Sequence, residues 1–209
     1  MQDSLRQGPK GETLQQAFTR YRDFAMASDI DLAEEVGFGC ADDEVTVDRL
    51  EKLIDSPLPA DLRAFYLRHG SYSMSESGDD WETIHLSCAD DLVCDLQDDD
   101  PLPGLGVVEF IDWFWGGRPE FAERFSREQI AELNRNYHIF GHCYVHDNRH
   151  RYYYFDRAGK MGVIDFNQDA FESACEHDFE PMLQASPAHF DLDGLISSEI
   201  DAMIARSEM

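Results

Sequence analysis

Basic side chains are scarce in this sequence: 17 lysine and arginine residues stand against 43 aspartate and glutamate residues, and the formal net charge is −26. Proteins that bind DNA or RNA present a basic surface to the phosphate backbone, and this composition does not supply one. Nucleic acid is therefore excluded as the expected ligand. A surplus of negative charge instead keeps a protein soluble, or speeds its encounter with a basic partner protein.

Long apolar runs are also missing. The longest, residues 105–115, is interrupted by Glu109 and Asp112 and is too short to cross a bilayer. The first 13 residues contain no apolar run behind a basic stretch, which is the pattern of a secretory signal. We therefore expect a soluble cytoplasmic protein that does not enter a membrane.

The cysteines show no paired spacing. No CxxC motif occurs among Cys40, Cys88, Cys94, Cys143 and Cys175, and their odd number argues against a disulfide framework or a zinc ribbon. Cys88 and Cys94 could bind a metal ion together with His85, but no convincing fourth ligand lies close by. We expect the cysteines to be small buried side chains.

Signatures of the common catalytic sites are absent as well. The chain contains no GxGxxG, GxxxxGK[ST], GxSxG or HExxH pattern, which removes the commonest nucleotide-binding, hydrolase and zinc-protease motifs. Paired carboxylates are so frequent that none can be singled out as a general acid and base. These patterns therefore indicate no catalytic residue and no cofactor site.

Histidine recurs at every fourth position in one segment, at His138, His142, His146 and His150. On a helix such residues could hold one metal ion, whereas in a strand they share a face but lie roughly 13 Å apart. The surrounding residues are aromatic or β-branched, which predicts two strands joined by a turn at 147–149. No metal site is expected, although a pair formed by His146 and His150 stays open as the centre of a metal-dependent enzyme.

Cys143 lies between His142 and the next aromatic residue in this segment. Neighbours in a strand point to opposite faces, so Cys143 is expected to face the core and His142 to face away from it. This arrangement disfavours a nucleophile in which histidine activates the thiol.

Helical and strand patterns divide the chain into three zones. Apolar spacing predicts a helix from Leu14 to about Ser28 and a second helix capped by Thr46. A third helix is predicted to begin at Pro59 and to stop at Gly70. Strands are predicted at 83–87, 107–114, in the histidine-rich hairpin and at 161–164, and helices at 126–133, 169–183 and 192–204. Helices first, an antiparallel sheet in the middle and helices last indicate an α+β fold rather than βαβ winding.

The segment 90–104 is rich in aspartate, and its Pro-Leu-Pro-Gly tail excludes regular structure, so an acidic surface loop is predicted. The loop either keeps the protein soluble or binds arginine and lysine side chains of a partner, with aromatic residues as anchors. The candidate partner-binding residues are Asp90, Asp91, Asp95, Asp98, Asp99, Asp100, Trp113, Trp115 and Tyr72.

Two segments carry recognisable motifs. In the first, LEKLI is followed by LPADLRAFYLRHG, a helix leading to a leucine-proline-x-aspartate step, an aromatic-containing helix and a glycine turn. The second is the hairpin segment 137–166, with an aromatic-aspartate-x-x-glycine turn at 155–159. Over about residues 46–205 the chain resembles the SUKH superfamily. It departs from the family pattern at Leu62, where an aromatic residue is usual, at Gly70-Ser71, where a double glycine is usual, and in the long loop 88–117.

The resemblance implies an α+β domain over residues 31–209, with residues 1–30 as an added N-terminal helix. It further implies an immunity protein: a cytoplasmic antidote without catalytic residues that binds and neutralises a bacterial toxin, often a nuclease or deaminase. A basic cognate toxin would be attracted by the acidic surface. The superfamily also includes fungal regulators of cell-wall synthesis, so a regulatory scaffold that binds an endogenous protein is the alternative.

Overall fold

The computed structural model describes residues 12–32, 37–76, 82–95, 106–108, 125–145, 149–167 and 191–208. The helices are α1 (Leu14–Ala27), α2 (Glu44–Leu53), α3 (Ala60–His69), α4 (Ala89–Asp95), α5 (Arg127–Asn136) and α6 (Leu192–Ser207). The strands are β1 (Gly37–Phe38), β2 (Tyr72–Ser75), β3 (Glu82–Leu86), β4 (Tyr137–Val145), β5 (Arg149–Asp156) and β6 (Met161–Asn167). None of these helices combines the length and the apolar character that a bilayer crossing requires.

The six strands form one antiparallel sheet in which each strand pairs with the next along the chain, in the order β1 to β6. The predicted α+β fold is confirmed, as are the two strands of the histidine-rich segment and the strand that follows them. Aromatic and β-branched residues fill β4 and β5, and such side chains pack well on a pleated surface. The predicted helix at 169–183 lies outside the described residues.

One face of the sheet, here called the first face, carries the larger hydrophobic core. Its buried strand residues include Met74, Ile84, Leu86, Phe140, Cys143, Tyr153 and Phe155, and the helices α1, α2, α3, α4 and α6 contribute to the same cluster. Cys143 therefore faces the core, as predicted. Helix α1 belongs to this core, because Phe18 stacks on Tyr72 with ring centroids 3.5 Å apart. The described part of the predicted N-terminal extension thus packs together with the rest of the chain.

The opposite side of the sheet, the second face, carries a smaller core. Helix α5 contributes Leu133, which packs with Val107, Val108, Ile139, Tyr152, Tyr154 and Ile164. Val107 and Val108 have helical backbone, so the strand predicted to begin there is wrong at these two residues. The valines are buried by tertiary contacts, and burial of this kind overrides an intrinsic β preference. Residues 109–114 lie outside the described part.

Capping side chains account for the helix boundaries. The predicted cap of α5 is confirmed, because Ser126 and Gln129 form a reciprocal capping box. The predicted cap of α2 is wrong: Asp43 caps this helix, and its Oδ1 accepts the backbone N–H of Thr46 at 2.7 Å. Gly70 ends α3 as expected, with a φ of 66° that favours glycine.

A β-bulge in β4 places two of the histidines on opposite faces. The pairing of β4 with β5 shifts register between Ile139 and Gly141. His138 therefore lies on the first face beside Phe155, with ring centroids 5.3 Å apart, while His142 lies on the second face. The expectation that residues four apart share a face is wrong here, because one extra residue in a strand reverses the alternation beyond it.

Candidate functional site

Two helices begin beside each other and gather carboxylates there. The carboxylate of Asp42 accepts the backbone N–H groups of Ala89 and Asp90, at 2.9 and 3.1 Å, and so caps the start of α4. The next residue, Asp43, caps α2. We call the group Asp42, Asp43, Glu44, Asp90 and Asp91 the acidic surface. Two consecutive residues thus cap the starts of both helices, and residues 42–44 lie next to residues 90–91.

The acidic surface is open to solvent. Asp43, Glu44, Asp90 and Asp91 are exposed, and only Asp42 is half-buried. Burial raises the pKa of Asp42, and the neighbouring charges act in the same direction. The hydrogen bond from the Thr46 backbone lowers the pKa of Asp43. Negative side chains also stabilise helix N-termini, so these residues serve the fold while presenting charge to a partner.

The structure corrects two of the predicted site features. Asp90 and Asp91 lie on helix α4 and not in a loop, since Leu92 and Val93 of that helix are buried in the first core. Tyr72 is only 3 % exposed, so it is not a surface anchor. Its ring stacks on Phe18 of α1. Asp95 belongs to α4, and its side chain lies outside the part that the structure describes. Also outside the described residues are Asp98, Asp99, Asp100, Trp113 and Trp115.

Three members of the acidic surface were missed by sequence reasoning. Residues 42–44 form an acidic run directly before an apolar helical pattern, which signals a helix start but not the second helix beside it. Val45 follows this run and is 76 % exposed, so an apolar side chain lies at the solvent boundary beside the carboxylates. The surface therefore combines exposed carboxylates with an exposed apolar contact.

Cys88 is a half-buried neighbour of the acidic surface. Its Sγ accepts the backbone N–H of Asp91 at 3.4 Å. Burial raises the pKa of this thiol to about 12, and the charges of Asp91 and Asp42 add to the effect. Nucleophilic attack requires the thiolate, so Cys88 is held in its unreactive form at neutral pH.

Cys88 is expected to react at least about a hundredfold more slowly with iodoacetamide at pH 8 than the exposed Cys40, because its thiolate fraction is strongly reduced. Labelled peptides quantified over time by mass spectrometry give the two rates. In denaturant both rates should become similar, which serves as the control. Equal rates in the folded protein would contradict the burial of this thiol.

Three imidazoles lie on the second face of the sheet. His85 of β3 is directly opposite His142 of β4, with ring centroids 5.4 Å apart and rings tilted by 40°. His150 of β5 is opposite Tyr144, with ring centroids 4.8 Å apart. Burial lowers the pKa of His142 and of His150 to about 4, and for His142 the two neighbouring imidazoles add to the shift. Burial also lowers the pKa of His85. Burial therefore favours the neutral form of all three side chains.

Sequence reasoning treated His142 and His85 separately, because they are 57 positions apart along the chain. Within the described part of the chain, no group of three or more histidine, cysteine, aspartate or glutamate side chains is arranged to hold a metal ion. His146 lies outside that part, so the pair formed by His146 and His150 stays a prediction.

The two segments that resemble the SUKH superfamily contact each other. In the β5–β6 turn, the carboxylate of Asp156 accepts the backbone N–H groups of residues 158 and 160, both at 2.9 Å. Gly159 adopts a φ of 77° and lies close to Pro59: a Cβ atom added to this glycine would be 3.9 Å from the proline. Arg157 donates to the backbone carbonyl of Asp55 and to one in the last turn of α5, at 3.2 and 2.9 Å. The turn motif and the proline step therefore stabilise one another.

No protein-family model and no curated protein matches this chain. The SUKH resemblance therefore stays a prediction that rests on these two segments.

Proposed function

We propose that this chain is a SUKH-like immunity protein that acts in the cytoplasm by binding and neutralising a cognate toxin with a basic surface. The observation that carries the proposal is the acidic surface, where two helix starts hold four exposed carboxylates beside exposed Val45. Charged residues around a small apolar contact are typical of protein interfaces, since they steer encounter while the apolar side chain is buried on binding.

The positions of the two motifs support the same proposal. Helix α2, the proline step and helix α3 occur in the order that the resemblance implies, and the aspartate-x-x-glycine turn joins two adjacent strands. A toxin that acts on nucleic acid has a basic cleft, and a carboxylate-rich surface matches that cleft in charge. The inhibitor then needs no catalytic group, because occupying the cleft is sufficient.

The double substitution D90K/D91K is expected to weaken binding to the toxin encoded by the adjacent gene by tenfold or more, and to abolish protection of cells that express it. Like charges brought together at an interface oppose association and slow encounter. Surface plasmon resonance at two salt concentrations, together with a growth assay, measures both effects.

The matched control is E128K/E132K on α5, which changes the net charge by the same amount at two exposed positions away from the acidic surface. We expect this variant to bind and protect nearly as well as the wild type. Equal weakening by both variants would contradict a local binding surface. If the protein instead co-purifies only with an endogenous protein and fails to protect cells, the regulatory scaffold takes the place of the immunity function.

A further inference from the structure

The cross-strand histidine pair on the second face lies on two interior strands of the sheet. His85 and His142 occupy paired positions of β3 and β4, and each of these strands has a further strand on its other side. Both side chains are half-buried, so solvent reaches them. The ladder therefore holds two imidazoles at a fixed separation without sealing them from water.

That separation matches the geometry of joint coordination. A zinc–nitrogen bond of about 2.0–2.1 Å places each ring centroid about 3.2 Å from the ion, so two rings at a tetrahedral angle have centroids about 5.2 Å apart. The observed distance is 5.4 Å. Opposite side chains in an antiparallel pair lie close enough for such contacts, whereas histidines four apart along one strand do not.

We propose that His85 and His142 together form a binding site for a divalent transition-metal ion of the Zn²⁺, Ni²⁺ or Cu²⁺ type, with water in the remaining coordination positions. Neutral imidazole is a preferred ligand of these ions, and burial favours the neutral form of both side chains. Hard cations such as Mg²⁺ and Ca²⁺ prefer oxygen ligands and do not bind to this pair. With two protein ligands, the site exchanges its ion readily.

Isothermal titration with Ni²⁺ alone, at fixed ionic strength, tests the proposal. One equivalent is expected to bind to the wild type, and Cu²⁺ is expected to bind more tightly than Ni²⁺. H85Q and H142Q should each weaken Ni²⁺ binding by tenfold or more. The control is H69Q on α3, which should bind Ni²⁺ like the wild type. Mg²⁺ at the same concentration reports the general attraction of cations to an acidic protein, and no saturable binding is expected.

A spectroscopic readout separates coordination from a merely structural effect. The electron paramagnetic resonance spectrum of the Cu²⁺ complex should show coupling to nitrogen from two imidazoles, and H85Q should reduce this to one. Because two independent single variants are used, failure of one to fold leaves the other informative. Ni²⁺ binding that is unchanged in both variants, or equally strong saturable binding of Mg²⁺, would overturn the proposal.

Discussion

Replacing Glu199 by glutamine is expected to lower the free energy of unfolding by about 3 kcal/mol, because it removes the buried carboxylate that accepts two hydrogen bonds from the partly buried Arg151. Glu199 of α6 reaches the first face of the sheet, where its side chain is 2 % exposed. Arg151 of β5 donates to both carboxylate oxygens, at 2.8 and 2.7 Å. The hydroxyl of Tyr153 also contacts the carboxylate, at 3.5 Å. The pair therefore joins helix α6 to strand β5.

Urea unfolding of E199Q, R151M and the double variant R151M/E199L measures this effect. Each single variant removes one member of the ion pair and leaves the other in place, whereas the double variant removes both. The double variant should therefore be more stable than either single variant. E128Q at an exposed position of α5 is the matched control and should stay within about 0.5 kcal/mol of the wild type. A loss of less than 1 kcal/mol in E199Q would show that the ion pair contributes little.

Stability is expected to fall steeply as the pH drops from 6.5 to about 4. His138, His142 and His150 all have their pKa lowered to about 4, with burial as the largest cause. The charge of Arg157 further lowers the pKa of His138, which lies on the first face. On the second face, His85 further lowers the pKa of His142. The two faces of the sheet thus respond to acid in the same direction.

The direction follows from proton uptake on unfolding. In the unfolded chain an imidazole titrates near pH 6.5, so between pH 6.5 and 4 the unfolded state binds protons that the folded state does not. The stabilisation is complete above pH 6.5 and is lost as the pH falls toward the folded-state pKa. A lowering from 6.5 to about 4 corresponds to about 3 kcal/mol per imidazole. Three such groups together approach the total stability of a typical domain.

Urea unfolding midpoints between pH 8 and pH 4, in buffer containing EDTA, measure the effect. The midpoint should be constant above pH 7 and should decrease below pH 6.5, before most carboxylates titrate. In the variant H150Q the decrease should be shallower, because its unfolding takes up about one proton less than that of the wild type. A midpoint that stays constant down to pH 5 would contradict the burial of these imidazoles.

Features with a local cause were predicted from the sequence. The spacing of Leu14, Phe18 and Tyr21 predicts α1, and the Ser126–Gln129 box predicts the start of α5. A helical face, a cap and an aromatic strand each depend on residues within a few positions of one another. The α+β class follows from the order of such elements.

Features that require distant partners were not predicted. The aspartate-rich segment was taken as a loop because its helix gains stability only when Leu92 and Val93 reach the first core and Asp42 caps its start. Tyr72 was taken as an exposed anchor because nothing near it in sequence shows the stack with Phe18. In both cases the stabilising contact lies more than 40 residues away.

By itself, the sequence determined helices α1, α2, α3, α5 and α6, the histidine-rich strands and the negative charge, since each depends on composition or on residues a few positions apart. Only the tertiary structure decided which side chains meet. The start of α4 lies against the start of α2, and His85 lies opposite His142, because strand register and helix packing bring together residues that are far apart along the chain. Likewise, one bulged residue in β4 reversed the face on which His138 lies, and no local pattern records that shift.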